Sequence, residues 1–252
     1  MKQGMRLSRG SENAITTGMI LAAGFGKRMR PLTLERPKPL VPLLDRALID
    51  WCLDRIKAHG IEDLVINTHY LGHMIEDHFK GDPRIRFSPE EEILETGGGV
   101  LNALPLLGEK PLLVCNSDTV WLEGPIPALA RLEAFWDPKK MDALLLMQPT
   151  FRAFGYQGFG DYHMDGQGSL SRRRETEVAP FLFAGVQILK PGLLEGEQPG
   201  AFSLNRIYDK AEKAGRLFGL VHDGEWYHLG TPDALEDATD IIRHGLTTSN
   251  TR

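Results

Sequence analysis

Short apolar runs alternate with amphipathic stretches through the first half of the chain, and that rhythm limits the fold class more than composition does. The runs at 19–23, 63–68, 85–88 and 111–115 have the length of strands rather than helices. Between them, residues 49–59 set Trp51, Cys52, Leu53 and Ile56 on one helical face and stop at Gly60, a residue suited to a helix C-cap. Residues 72–79 and 97–107 read as two further helices. Parallel strands need crossover helices, so this alternation predicts an α/β fold with a mostly parallel sheet covered on both faces.

The second half changes character. A strand over 141–148 precedes Gly155, Gly158 and Gly160, and residues 162–168 read as a β-hairpin with an Asp-Gly turn. Strands follow at 186–189 and 217–222, with helices at 205–215 and 231–244, the last opened by Thr231 as N-cap and Pro232 at the first position. No repeat, low-complexity block or linker interrupts the pattern. One domain over 18–245 is expected, between a flexible extension at 1–17 and a flexible tail at 246–252.

The sequence of 252 residues sets 29 basic against 34 acidic side chains, a net charge of −5, which speaks against general nucleic-acid binding. It holds no run of about 18 apolar residues that would span a membrane. Residues 1–17 lack the apolar core of a secretory signal, and a cytoplasmic protein is the expectation. Cys52 and Cys115 each sit in an apolar segment and read as buried thiols of a reducing compartment.

Against this mildly acidic background one segment is strongly basic. The first strand runs into Gly24-Phe25-Gly26-Lys27-Arg28-Met29-Arg30-Pro31-Leu32-Thr33, and Arg36-Pro37-Lys38-Pro39-Leu40-Val41-Pro42 follows. Two glycines let backbone N–H groups approach an anion closely. Lys27, Arg28, Arg30, Arg36 and Lys38 supply positive charge where a triphosphate would lie. A dinucleotide fingerprint fails here, because Met29 stands where its third glycine belongs and Pro31 follows. A Walker A loop fails as well, since Gly-Lys-Ser/Thr occurs nowhere.

What remains is Leu21-Ala22-Ala23-Gly24-x-Gly26-x-Arg28-x-x-Pro31-Leu32-Thr33, then Pro37-Lys38-Pro39-Leu40. This resembles the signature of the sugar-1-phosphate nucleotidyltransferases, G-x-G-[ST]-R-[LM]-x-P-L-T followed by P-K-P-[LM]-x-P. Lys27 departs from the usual Thr or Ser, and the resemblance extends over roughly residues 19–240. It implies a Rossmann-like mixed, mostly parallel sheet flanked by helices, with a small β-hairpin subregion for the sugar. The implied partners are a nucleoside triphosphate and a sugar 1-phosphate, whose phosphate oxygen attacks the α-phosphorus in line and expels pyrophosphate. Leu21, Ala23, Gly24, Gly26 and Lys27 then belong to the nucleotide.

Phosphoryl transfer depends on positioning and on neutralising the equatorial oxygens. A planar guanidinium can fork onto phosphate oxygens, which makes Arg28 the candidate for the triphosphate and departing pyrophosphate. Lys38, held between two prolines, is a point charge suited to the α-phosphate. These two are the expected catalytic residues.

Asn116-Ser117-Asp118 lies where a buried strand ends, at the edge where open α/β sheets bind ligands. The family resemblance makes Asp118 a Mg²⁺ ligand and gives Asn116 to the sugar. The second metal position departs from the pattern. Relatives often carry Trp-x-Asp-x-Gly-Thr, whereas here the run is Trp226-Tyr227-His228-Leu229-Gly230-Thr231, with His228 in the carboxylate's place. Imidazole suits Mn²⁺ or another softer divalent ion better than Mg²⁺. His228 either coordinates such an ion or hydrogen-bonds a phosphate.

Leu94-Glu95-Thr96-Gly97-Gly98-Gly99 opens a helix with small residues, and a flat base could lie against its amides. Thr96, Gly97 and Gly98 are assigned to the nucleobase on that ground. This loop, the Arg172-Arg173-Arg174 run, and Ala179-Pro180-Phe181-Leu182-Phe183-Ala184-Gly185-Val186-Gln187-Ile188 resemble the N-acetylmuramate 1-phosphate uridylyltransferase branch of the family. The Glu-Lys-Pro usual in thymidylyl- and guanylyltransferases is replaced by Arg174-Glu175-Thr176-Glu177. The sugar-contacting carboxylate is then Glu175 or Glu177, and Gly160 matches a glycine lining the sugar pocket. His69 and His73 have zinc-ligand spacing, but Gly72 breaks the segment and no glutamate stands between them.

The favoured substrates are UTP and N-acetylmuramate 1-phosphate. Two rivals stand beside them: a GTP-dependent mannose or heptose 1-phosphate guanylyltransferase, and a non-catalytic paralogue that binds nucleotide sugar. No nucleic-acid or membrane partner is expected, and the oligomeric state stays open.

Overall fold

The computed structural model describes residues 14–249, with side chains as far as His244. Residues 1–13 and 250–252, the outer parts of the expected extension and tail, lie outside the described residues. Residues before 18 already take part in the described fold. Ile15 is buried, its N–H donates to Glu133 Oε1 at 3.0 Å, and the first strand opens at Thr17.

That strand, β1, spans Thr17–Leu21 and leads into the basic loop. The loop closes with the short pair β2 (Pro42–Leu43) and β3 (Arg46–Ala47), followed by α1 (Leu48–His59). Then come β4 (Asp63–Thr68), α2 (Gly72–His78), β5 (Ile85–Pro89), α3 (Glu95–Leu107) and β6 (Leu112–Asn116). Gly60 caps α1 at φ 84°, as its left-handed tolerance suggests. The second half contains β7 (Val120–Leu122), α4 (Ala128–Phe135), β8 (Ala143–Pro149) and β9 (Ala153–Phe154). It continues through β10 (Tyr162–Met164), β11 (Leu170–Arg172), β12 (Phe181–Leu189) and α5 (Asn205–Lys213). It ends with β13 (Leu217–Val221), β14 (Glu225–Tyr227) and α6 (Pro232–Ser249). The last helix starts where expected, with the Ala234 N–H donating to Thr231 Oγ1 at 3.3 Å, but it runs past residue 245.

The main sheet is mixed and has nine strands. Strands β6, β1, β4 and β5 lie side by side and parallel. β12 joins antiparallel to β6 and to β8, and β13 adds parallel to β8. Side chains alternate cleanly between the two faces. Ile20, Leu64, Ile66, Leu113 and Cys115 pack with Ile49, Cys52 and Ile56 of α1 and with Leu129 and Leu132 of α4. Met19, Val65, Leu112 and Val114 pack with Val100 and Ala103 of α3 and Ile207 and Ala211 of α5. Near-continuous apolar strands are what a sheet covered on both faces requires. Both cysteines are fully buried and free, and burial pushes the Cys115 thiol well above its ordinary range.

A third apolar cluster fastens the basic loop. Met29, Val41 and Leu43 are buried against Val120, Tyr227 and Leu229 and against Leu235, Ala238 and Ile242 of α6. Met29 thus anchors the loop beneath the exposed Arg28. Three strands β7, β14 and β9 form a separate small sheet, and the β10–β11 hairpin extends the main one. The hairpin turn is longer than an Asp-Gly dipeptide: Asp165 Oδ1 accepts the N–H groups of Gln167 and Ser169, and Gly168 sits at φ 87°. No helix among the described residues is long and apolar enough to cross a membrane.

Candidate active site

Strand β1 stops pairing after Leu21 because the next amide finds a side chain instead. The Ala22 N–H donates to Asn67 Oδ1 at 2.7 Å, and the carbonyl of Leu21 accepts the Ser117 N–H at 3.1 Å. The chain thereby splays away from the sheet at the carboxyl ends of the parallel strands, where α/β sheets bind ligands. A cavity of about 450 Å³ opens there. Leu21, Ala23, Gly24 and Gly26 form one wall, Thr96 stands at the start of α3, and Asn116 and Asp118 lie at the end of β6. Lys38 also lines it, so residues far apart in sequence converge on one cavity.

Gly26 is the hinge of this wall. It sits at φ 61°, and a Cβ there would come within 2.9 Å of Lys38 Cβ and 3.1 Å of Thr33 Cγ2. The Thr33 hydroxyl donates to the Gly26 carbonyl at 2.9 Å, and the Tyr70 hydroxyl donates to the Thr33 carbonyl at 2.9 Å. This packing brings Lys38 back over the loop, where its ammonium donates to Asp118 Oδ2. The Lys38–Asp118 ion pair joins the basic loop to the end of β6 at the cavity.

Arg28 stays exposed, and with Lys38 it acts electrostatically on His228. Lys27 lies over the Phe25 ring at 5.1 Å rather than in the cavity wall. The His228 ring packs edge-on against Tyr156 and obliquely against Trp226, each with centroids 5.9 Å apart. Asp118 is within electrostatic reach of it. Burial holds His228 below its ordinary value near 6.5, and Arg28 and Lys38 push the same way, against Asp118. Its imidazole is accordingly neutral near pH 7, the form that coordinates metals.

Two expected nucleobase contacts are corrected. The N–H groups of Gly97 and Gly98 both donate to the Phe202 carbonyl, at 2.8 and 3.1 Å, so neither is free to meet a base. A Cβ at Gly97 would lie 2.4 Å from the Phe202 ring, and one at Gly98 would lie 2.1 Å from the Gly200 carbonyl oxygen. These glycines admit the 200–202 segment against α3 instead of lining the cavity. Thr96 does line it, and its hydroxyl accepts the Leu204 N–H at 2.9 Å. Glu95 lines it too, at a left-handed φ of 57° that side chains avoid unless the surroundings impose it.

Gly160, Glu175 and Glu177 lie outside the cavity wall. They belong to one loop knot in which Arg173 donates to the carbonyls of Gly160, Arg174, Glu175 and Glu177, at 2.7–3.3 Å. The Gly160 N–H donates to the Tyr156 hydroxyl at 3.0 Å, which links this knot to the ring beside His228. The Glu177 carboxylate is committed inside the knot, accepting the Arg174 N–H at 3.0 Å. His69 and His78 serve structure, facing the Glu90 carbonyl and the Asp50 carboxylate.

Several site residues carried no sequence signal. Asn67 and Glu90 line the cavity although each is buried and reads as part of a strand or its end. Gly185 sits at φ 82° where β12 slips register, and a Cβ there would stand 2.1 Å from Thr119 Oγ1 and 3.1 Å from Asn116 Nδ2. It sets how closely β12 approaches the turn that holds Asn116 and Asp118.

His222 is fully buried and, like His228, is held below its ordinary value mainly by burial. An unfolded chain takes up protons near pH 6.5 that the folded chain refuses, so stability is complete above that pH and declines below it. Thermal midpoints are expected to be level from about pH 8 to 7 and to fall below about pH 6.5. His222→Gln should flatten part of that fall; a variant curve parallel to the wild type would remove His222 from the account.

The fold and this site define a class. The chain matches the nucleotidyl transferase family over residues 17–171, more than half its length, and it belongs to that family. It is 40% identical over 223 residues to an N-acetylmuramate alpha-1-phosphate uridylyltransferase of Caulobacter vibrioides, covering 86% of this chain and 92% of that one. A protein of the same description from Neisseria meningitidis is 35% identical over 228 residues, with 87% and 95% covered. A crystal structure of UDP-glucose pyrophosphorylase complexed with UDP-glucose superposes with a TM-score of 0.76 at 16% identity, covering 92% of this chain and all of that one, a likeness of fold. The family acts on nucleoside triphosphates and sugar 1-phosphates and generally uses a divalent metal.

Proposed function

We propose that this nucleotidyltransferase joins UTP to N-acetylmuramate 1-phosphate, forming UDP-N-acetylmuramate and pyrophosphate. The observation that carries the transfer chemistry is the Lys38–Asp118 pair lining a cavity walled by Gly24 and Gly26. The two uridylyltransferase relatives support the choice of substrates. Leu21, Ala23, Gly24, Gly26 and Thr96 hold the nucleotide, with Lys27 at its outer edge. Asn116, Gly160 and Glu175 serve the sugar, since the Glu177 carboxylate is engaged within its own loop.

A phosphate oxygen of the sugar 1-phosphate attacks the α-phosphorus, and the bond to the bridging oxygen breaks so that pyrophosphate leaves with the electron pair. Lys38 neutralises the equatorial oxygens of the α-phosphate, and Arg28 follows the charge that moves onto pyrophosphate. Among the described residues no group of three or more His, Cys, Asp or Glu could hold a metal alone. One carboxylate with phosphate oxygens is nevertheless a usual Mg²⁺ donor set, and Asp118 fits it, with His228 as a neighbour that also tolerates Mn²⁺. A divalent ion so held would supply Lewis-acid neutralisation of the phosphates.

Pyrophosphate release and product mass across a panel of triphosphates, sugar 1-phosphates and divalent ions test this reading. Release with UTP and N-acetylmuramate 1-phosphate is expected. Turnover only with GTP and a mannose or heptose phosphate would move the chain to the rival branch, and no release at all would leave a binding role. His228→Asp is expected to keep or raise the Mg²⁺-dependent rate; loss with every divalent ion would show that the imidazole itself is required.

A further inference from the structure

Beneath the cavity two buried side chains tie its opposite walls together. Asn67, near the end of β4, is 2% exposed, and Glu90, just past β5, is 6% exposed. The Ala22 N–H can only donate, which fixes Asn67 Oδ1 toward it at 2.7 Å and turns Nδ2 toward Glu90 Oε1 at 2.6 Å. The other Glu90 oxygen accepts the Leu94 N–H at 3.0 Å. The result is a single polar chain, Ala22 to Asn67 to Glu90 to Leu94, in which each link joins a donor to an acceptor. Its first end precedes Ala23 and Gly24 and its last precedes Glu95 and Thr96, all of which line the cavity.

The backbone keeps this chain in place. The Glu90 N–H donates to the Thr68 carbonyl at 2.8 Å, and His69 Nδ1 lies 2.9 Å from the Glu90 carbonyl. A Cβ at Gly99 on α3 would stand 2.8 Å from both Asn67 Nδ2 and Glu90 Oε1, so a glycine is needed for the pair to form. We propose that Asn67 and Glu90 are positioning residues that set the width of the nucleotide cleft by holding Ala22 and Leu94 at a fixed separation. The inference rests on the reading that this cavity takes the triphosphate.

The polarity of the chain provides its own test. Asn67→Asp sets two carboxylates face to face. Glu90→Gln leaves one of two donors facing an amide N–H. Asn67→Asp combined with Glu90→Gln restores the order. The introduced carboxylate then accepts from the Ala22 N–H and from the introduced amide, whose own oxygen accepts from the Leu94 N–H.

UTP and GTP binding in the presence of Mg²⁺, measured by calorimetry without sugar phosphate, is expected to weaken about tenfold to a hundredfold in each single variant. The double variant should return to within about threefold of wild type. A merely structural pair would lower the melting temperatures and leave the affinity of the folded proteins unchanged, and that outcome overturns the proposal. A double variant no better than the worse single overturns it too. Should both singles fail to fold, Glu90→Asp, which keeps the charge but shortens the reach to Asn67 and Leu94, decides in their place: weakened triphosphate binding by the folded variant supports the proposal and wild-type binding refutes it. A wild-type chain that binds neither triphosphate overturns the nucleotide reading and this inference together, whereas wild-type binding with unaffected singles overturns the inference only.

Discussion

Asp118→Asn is expected to lower the rate of pyrophosphate release by on the order of 10³-fold, the loss of several kcal/mol of charge stabilisation at the phosphates. The asparagine keeps the size of the side chain and one acceptor oxygen, so the end of β6 retains its shape. What disappears is the negative charge. Lys38 then faces a neutral amide, and a divalent ion brought with the triphosphate loses its carboxylate. Glu90 cannot take over, because both of its oxygens are engaged by Asn67 and Leu94. The fold should hardly notice: the Asp118 side chain is 36% exposed, and pairs of that kind contribute about 1 kcal/mol or less. Single-turnover rates alongside melting temperatures check both halves. A rate within tenfold of wild type would take Asp118 out of the chemistry.

Lys38→Met should cost about 10²- to 10³-fold in kcat, the usual effect of removing one preorganised charge or donor from a developing oxyanion. Methionine preserves the apolar stem that packs over Gly26 while deleting the ammonium. Lys38→Arg is not expected to rescue, since the Lys38 side chain is only 13% exposed and the planar guanidinium needs more room. Because Lys38 and Asp118 touch, the double variant should lose less than the sum of the two single losses in activation free energy. Strict additivity would mean that the two residues act independently during turnover, contrary to their shared position at the cavity.

The first half of the fold was legible because its periods are local. Strand β4 and helix α1 follow directly from apolar spacing and from the φ freedom of Gly60, and β6 ends within a residue of its expected limit. Strands β7 and β14 were not legible. Each is three residues long, too short for alternation to register, and each exists because it pairs with the other. Helix α4 is not legible either, although Ala128, Leu129 and Leu132 are core residues, because eight residues with Pro127 at the N-cap position leave little pattern.

The site divides along the same line. Arg28, Lys38 and Asp118 could be named from sequence because their motifs are local and their charges have few other uses beside a glycine loop. The smallness of Gly97 and Gly98 points to a base in sequence, yet it serves the close passage of Phe202 and Gly200. A sequence shows that a glycine is needed but not which neighbour requires it. Asn67 and Glu90 left no trace, since a buried amide and carboxylate acquire meaning only from partners 45 and 23 residues away in the chain.

The sequence by itself determined the α/β class, the glycine-rich basic loop, and the substitution of His228 for an expected carboxylate, all properties of short contiguous segments. Tertiary structure alone decided that Lys38 meets Asp118, that Met29 anchors the loop against α6, and that Asn67 and Glu90 brace the two walls of the cleft. Those contacts join distant parts of the chain, and burial makes each depend on finding its complement there. The loop supplies the charges; the fold decides what they face.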